Sequence, residues 1–178
     1  HMKAAVYRGE GRLLVEDIPV PDPLPGEILI KVNYSAICGT DVHAFVYDIA
    51  PTGSVMGHEF SGVVTAVGED VDYWKIGDRV IGGGGSPPPG LEAPLRRQEQ
   101  YNYRLEGFAS TRKRGYAEYT VLNDWEPLLI PDNVTDLEAC MTEPCSVVVR
   151  AVRRSNQRLG DTVVVLGAGP IGLLCIQA

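Results

Sequence analysis

The sequence predicts a mostly β domain followed by the first strand and helix of an α/β domain. Three observations support this fold class. Short runs rich in Val, Ile and Leu alternate with Gly and Pro over the first 130 residues, without a long helical pattern. Signals for two helices follow that region. The chain then ends on an apolar run, a glycine-rich turn and a second apolar run.

The β region is expected to form a compact barrel or sandwich, because its strands are short and turn residues separate them. Prolines at positions 19, 21, 23 and 25 form a stiff connector that cannot enter the interior of a sheet. The strands are predicted at 3–7, 13–18, 27–36, 61–67, 79–81, 115–122 and 127–131.

Two helices are predicted after the β region. Thr135-Asp136-Leu137-Glu138 has the pattern of a capping box, so a helix should begin there. Pro144 suits the first turn of a second helix that reaches about Ser155, since proline is tolerated where no N–H is needed.

The end of the chain has the pattern of a dinucleotide-binding turn. A strand predicted at 162–166 leads into Gly167-Ala168-Gly169-Pro170-Ile171-Gly172, which should open a helix. Glycines let the backbone approach a pyrophosphate, and the helix N-terminus favours its charge. NAD and NADP both remain open, because the selecting residue is expected about 20 residues further on. We therefore expect a truncated nucleotide domain.

Composition limits the class of protein. The chain has 178 residues and a net charge of −7, which argues against a nucleic-acid or anionic-membrane partner. No apolar run reaches the roughly 18 residues of a membrane helix. Four cysteines in this length do not form a disulfide framework. These features favour a cytoplasmic enzyme with reduced thiols.

Metal-ligating residue types occur in two short segments that we interpret as turns. The first is Cys38-Gly-Thr-Asp-Val-His43, and the second is Gly57-His58-Glu59. Cysteine sulfur and histidine nitrogen are preferred zinc ligands, and a carboxylate can complete the set. Glu143, far downstream, could also close the site. Three protein ligands with one open position are typical of a catalytic zinc.

Together these motifs resemble the medium-chain dehydrogenase/reductase superfamily, specifically its zinc-dependent alcohol and polyol dehydrogenases. The resemblance extends over 2–178. It implies a GroES-like catalytic domain at 2–148, followed at 149–178 by the start of a Rossmann domain, with the active site between the two. The motifs that carry it are Cys38-Gly-Thr-Asp-Val-His43, Gly57-His58-Glu59-Phe60-Ser61-Gly62, Gly68, Gly77-Asp78-Arg79-Val80, Glu143-Pro144 and the closing glycine motif.

The resemblance also implies a ligand set. Cys38 and His58 would bind the catalytic zinc, and Glu143 stands where sorbitol- and threonine-dehydrogenase-like members carry a glutamate. Glu59 would lie beside the metal or bond to it. Cys145 remains a competitor for the place of Glu143. We do not expect both glutamates to bind tightly at once, since a second carboxylate would make the zinc less electrophilic.

Supporting roles follow from the same resemblance. Asp41 would accept a hydrogen bond from the ligand histidine and fix its tautomer. Thr40 and His43 would pass the alcohol proton to solvent. Members with a structural zinc carry four closely spaced cysteines in the lobe corresponding to 82–114. This chain has none there, so one catalytic zinc and no structural zinc are expected.

The sequence thus predicts a zinc-dependent dehydrogenase that transfers a hydride between a secondary alcohol or polyol and NAD or NADP, or reduces the ketone. The families it resembles suggest a homodimer or homotetramer. Two alternatives remain open. One is a zinc-free quinone or enoyl reductase of the same superfamily, and the other is a catalytically silent GroES-like binding module.

Overall fold

The computed structural model describes residues 1–82 and 114–178. Within these ranges the strands are β1 (Met2–Tyr7), β2 (Leu13–Ile18), β3 (Glu27–Ala36), β4 (Glu59–Val67), β5 (Arg79–Ile81), β6 (Tyr119–Asn123) and β7 (Leu128–Leu129). The helices are α1 (Gly39–Val46), α2 (Asp136–Ala139), α3 (Thr142–Arg154) and α4 (Pro170–Gln177). The prediction that the 82–114 lobe holds no structural zinc concerns residues that lie almost entirely outside the described ranges.

The strands form two antiparallel sheets, which confirms the mostly β prediction. One sheet is the hairpin of β1 and β2, and the other has five strands in the order β6-β3-β4-β5-β7. Isolated bridges from Ala4 to Ala117 and from Val6 to Val55 join β1 to the segments that flank the larger sheet. The long central strands β3 and β4 pair over most of their length, with two register shifts. The metal-ligating segments lie where these central strands end.

The main core lies against the face of the five-stranded sheet. Ile28, Ile30, Val64 and Val80 are fully buried, and they come from the three adjacent strands β3, β4 and β5. Burial of each such side chain stabilises the fold by roughly 1.5–3 kcal/mol. Trp74 closes one end of this core and donates its indole N–H to the carbonyl of Asp124. A rigid sheet is therefore available to hold the loops at its edge.

Helix α1 corrects one interpretation from the sequence. We interpreted the segment from Cys38 to His43 as a turn, but it begins an α-helix. Cys38 is the N-cap, and its Sγ accepts from the N–H of Thr40 at 3.5 Å. Asp41 completes the reciprocal bond by accepting from the N–H of Cys38 at 3.0 Å. Cysteine is not a usual capping residue, so the helix start was not evident from the sequence.

Helices α2 and α3 follow the prediction. Thr135 and Glu138 form the expected capping box at α2. Asp136 then holds α2 to the sheet, since its carboxylate accepts from Arg79 Nε at 2.8 Å and from Asn33 Nδ2 at 2.7 Å. Helix α3 begins two residues before Pro144, so Glu143 lies in its first turn. No helix in 1–82 or 114–178 is both long and apolar enough to cross a bilayer.

The C-terminal unit is only partly as predicted. Helix α4 begins at Pro170, as expected, and contacts α3. The strand predicted at 162–166 is not formed, because this segment pairs with no strand in the described ranges, and Val164 is 77% and Leu166 94% exposed. A β-strand requires backbone hydrogen bonds to a neighbouring strand, and no described strand of this chain lies beside it.

Candidate metal centre

Cys38, His58 and Glu59 form the cluster that could hold a metal ion. Their candidate ligand atoms all lie within 4.8 Å of one another. Cys38 caps α1, His58 ends the loop before β4, and Glu59 is the first residue of β4. Glu59 is buried, whereas the other two are half-buried. The sheet and helix thus bring a sulfur, an imidazole nitrogen and a carboxylate to one point at the protein surface.

The donor set and its spacing suit zinc. Tetrahedral zinc with bonds of about 2.0–2.3 Å holds its ligand atoms roughly 3.4–3.8 Å apart. The ligand atoms of the cluster lie within 4.8 Å of one another, a separation from which side-chain rotation could bring them to that spacing. Soft sulfur with imidazole and one oxygen favours zinc over calcium or magnesium, which prefer oxygen ligands alone.

Asp41 connects the two segments that carry the cluster. Its Oδ2 accepts from the N–H of Cys38 at 3.0 Å, and its Oδ1 accepts from the N–H of Gly57 at 3.3 Å. The hydroxyl of Tyr116 donates to Oδ2 at 2.9 Å. Oδ1 also lies 3.6 Å from Nδ1 of His58. One buried carboxylate therefore ties together the helix start and the loop before β4.

The pKa values of His58 and Tyr116 are raised at the metal centre, and the pKa of Asp41 is lowered. The Asp41 carboxylate raises the pKa of His58 to about 9, although burial acts the other way. Burial acts to raise the pKa of Asp41, but donors from His58 and Tyr116 outweigh it and hold that pKa below its ordinary value. Burial, followed by the negative charge of Asp41, raises the pKa of Tyr116. Asp41 is thus an anion and Tyr116 a neutral donor near pH 7.

The two candidate glutamates are not equivalent. Glu59 belongs to the close cluster, and burial, followed by the charge of Glu143, raises its pKa. Glu143 is near enough to exert that effect, and it lines an adjacent cavity of about 320 Å³ with Phe60 and Cys140. Among the described residues, neither Glu143 nor Cys145 joins the close cluster. The structure therefore places Glu59, but not Glu143, in the close cluster with Cys38 and His58.

The two residues predicted to relay a proton lie along α1. Thr40 Oγ1 is 3.4 Å from Cys38 Sγ, so this hydroxyl is at the cluster. His43 is exposed one turn further on, with its ring centre 5.7 Å from that of Tyr47. The pair thus extends from the cluster towards solvent.

Sequence reasoning missed Tyr116 as a residue of this site. It lies in the segment before β6, where the sequence predicts only a strand over 115–122. No motif in the sequence links it to Asp41, which is 75 residues away. Only the fold brings the two together.

Gly57 gives a first testable prediction. It has φ +96°, and a Cβ there would lie 2.5 Å from the ring of Tyr116. Gly77 has a similar φ of +99° but open space around it. We expect Gly77→Ala to lose about 1–2 kcal/mol of unfolding free energy from backbone strain alone. Gly57→Ala should lose at least about 2 kcal/mol more, because the ring must move. Urea denaturation of both variants measures the two losses in unfolding free energy. Equal losses would contradict a steric clash between the new Cβ and the Tyr116 ring.

Comparison with known proteins identifies the family of this chain. The family model described as "Alcohol dehydrogenase GroES-like domain" matches residues 24–132. The chain belongs to this family. The match covers β3 to β7 and therefore includes Cys38, His58 and Glu59.

Relatives of this GroES-like domain extend the match to nearly the whole chain. (R,R)-butanediol dehydrogenase of Bacillus subtilis is 34% identical over 99% of this chain and 54% of its own length. Human sorbitol dehydrogenase is 37% identical over 96% of this chain and 50% of its own. A solved Sinorhizobium meliloti protein, provisionally classified as a zinc-binding dehydrogenase and bound to NADP, has a TM-score of 0.81 and 30% identity. It is matched over 99% of this chain and 52% of its own.

These comparisons confirm the predicted resemblance to the N-terminal portion of zinc-dependent medium-chain dehydrogenases. The chain spans about half the length of the curated relatives it matches.

Proposed function

We propose that the protein acts as a zinc-dependent dehydrogenase that transfers a hydride between a secondary alcohol or polyol and NAD or NADP. The observation that carries this proposal is the convergence of Cys38, His58 and Glu59. Support also comes from relatives named for a diol and a sugar alcohol. A zinc-free reductase or a silent binding module would have no need of this donor set.

The ligand roles in this proposal follow from the local contacts. Cys38 as thiolate, His58 as neutral imidazole and Glu59 as carboxylate would hold one zinc ion. Since Nδ1 of His58 faces Asp41, Nε2 would bind the metal. Glu143 would stay nearby and could replace Glu59. When bound, zinc supplies Lewis acidity that lowers the pKa of an alcohol hydroxyl and polarises a ketone.

The protein residues would handle the proton. Thr40 Oγ1, next to Cys38, would accept the hydroxyl proton of the alcohol, and His43 would deliver it to solvent. A hydroxyl can donate and accept at once, and the two ring nitrogens of an imidazole can do the same, so both suit a relay.

The glycine motif would hold the nucleotide. Gly172 has no room for a side chain, since a Cβ would lie 1.9 Å from the carbonyl oxygen of Gly167. Pro170 occupies the first turn of α4, and Gly169 caps it. The backbone from Gly167 to Gly172, with Ile171 in the first turn, would therefore bind a pyrophosphate at the helix N-terminus. NAD or NADP would accept the hydride.

The proposal includes a division into a catalytic domain at 2–148 and a nucleotide domain that begins at 149. Helix α3 would connect the two, because it runs through that boundary. A cytoplasmic homodimer or homotetramer completes the proposal.

The proposed function is tested by metal analysis and a substrate screen of the full-length protein. We expect about one zinc per chain, and oxidation of 2,3-butanediol or sorbitol with NAD or NADP that exceeds oxidation of ethanol. 2,3-Butanediol, a diol, and sorbitol, a sugar alcohol, are chosen because relatives are named for them. A protein without zinc that oxidises none of these alcohols would refute the proposal.

The raised pKa of His58 predicts that the stability of metal-free protein and its affinity for zinc change in opposite directions with pH. In metal-free protein the folded pKa of about 9 exceeds the unfolded value of 6.5. The contribution of His58 is therefore fully present below pH 6.5 and is lost as pH rises through 9, by up to about 3 kcal/mol. Zinc competes with that proton, so its affinity should rise up to about tenfold per pH unit over the same range. Unfolding at pH 6.5 and 9, with and without zinc, tests both trends.

A further inference from the structure

Tyr116 is held next to both ligand-bearing segments by three independent contacts. Its main-chain N–H donates to the carbonyl of Met56 at 2.9 Å, in the loop that leads to His58. Its ring packs directly on Gly57. Its hydroxyl lies 2.9 Å from Asp41 Oδ2 and 3.2 Å from the carbonyl oxygen of Ala36, at the end of β3. The main-chain and ring contacts of Tyr116 therefore hold its hydroxyl at Asp41.

The hydroxyl acts on the carboxylate that joins Cys38 to His58. Oδ2 of Asp41 accepts from Tyr116 and from the N–H of Cys38, while Oδ1 faces Gly57 N and His58 Nδ1. A carboxylate with donors at both oxygens cannot rotate about its Cβ–Cγ bond without breaking one of them. Without the hydroxyl, Oδ2 would keep the N–H of Cys38 alone among these partners. The plane of the carboxylate, and with it the ring of His58, would then be less restricted.

We propose that Tyr116 is a positioning residue of the metal centre: its hydroxyl fixes the Asp41 carboxylate and thereby the orientation of Cys38 and His58 towards a shared ion. The inference rests on the proposed zinc site. It adds a residue that donates neither to the metal nor to a ligand side chain. Partners one layer outside metal ligands typically change metal affinity by about 10–100-fold.

The chain offers a matched control. Tyr7 is fully buried, and its hydroxyl also donates to a carboxylate, that of Asp48. That pair lies outside the ligand cluster. Tyr116→Phe and Tyr7→Phe therefore remove the same chemical group from a tyrosine–aspartate pair, and both keep the aromatic ring. Only the first should affect the metal.

The experiment measures zinc affinity with a competing chelator, zinc release rate, and the visible spectrum of the cobalt-substituted protein. We expect Tyr116→Phe to bind zinc about tenfold more weakly, to release it faster and to alter the cobalt spectrum. Tyr7→Phe should match wild type in all three measurements. Wild-type affinity and spectrum in Tyr116→Phe would overturn the positioning role while leaving the zinc site intact. Equal weakening in both variants would also overturn it, because the effect would then be general destabilisation. Wild-type protein that binds neither zinc nor cobalt would refute the proposed function, and this inference with it.

Discussion

Replacing His58 by alanine should remove zinc and activity together. The imidazole is one of three clustered donors, and two remaining donors hold zinc far more weakly than three. We expect zinc content below about a tenth of the wild-type value and a loss in kcat/KM of at least about a thousandfold. Elemental analysis and initial rates with a diol substrate measure the two effects.

His43 provides the contrast for that experiment. It lies on α1 outside the cluster, so His43→Gln should keep its zinc while turnover slows. A His58→Ala protein with unchanged zinc and activity would refute the ligand role. Loss of zinc in His43→Gln would show that zinc retention does not distinguish the two histidines.

Replacing Asp41 by asparagine should have the second largest effect. The carboxylate accepts from Cys38 N–H, Gly57 N–H and the Tyr116 hydroxyl, and it also faces His58. Asparagine has a single acceptor oxygen, so its NH₂ group must point at donors on one side. We expect a loss of about 2–4 kcal/mol in the free energy of unfolding of metal-free protein. Zinc affinity should fall by about 100-fold or more.

Asp48 offers a matched control for that substitution. It accepts from the Tyr7 hydroxyl and from the N–H of Glu10, but it lies outside the metal cluster. Asp48→Asn should therefore lower stability with little change in zinc affinity. Denaturation and chelator competition on both variants separate the two effects. If Asp41→Asn bound zinc as tightly as Asp48→Asn does, Asp41 would have no part in holding the ligands.

Local signals explain why many elements could be predicted. The bounds predicted for the second, third and fifth strands agree with β2, β3 and β5. The capping box at Thr135 and the helix after Gly169 were also predicted, because each depends on a few adjacent residues. The strand prediction failed at 162–166. The segment 162–166 has the composition of a strand but no described neighbour with which to pair.

The sequence by itself determined the donor types, because thiol, imidazole and carboxylate chemistry belongs to Cys38, His58 and Glu59 wherever they lie. It could not choose between Glu59 and Glu143, nor could it find Tyr116. The tertiary structure brings Glu59, and not Glu143, into the close cluster, since Glu59 begins a strand beside the α1 N-terminus, and it brings Tyr116 to Asp41 across 75 residues. Contacts of that kind depend on how the strands pair, and strand pairing is set by the whole buried core rather than by any local motif.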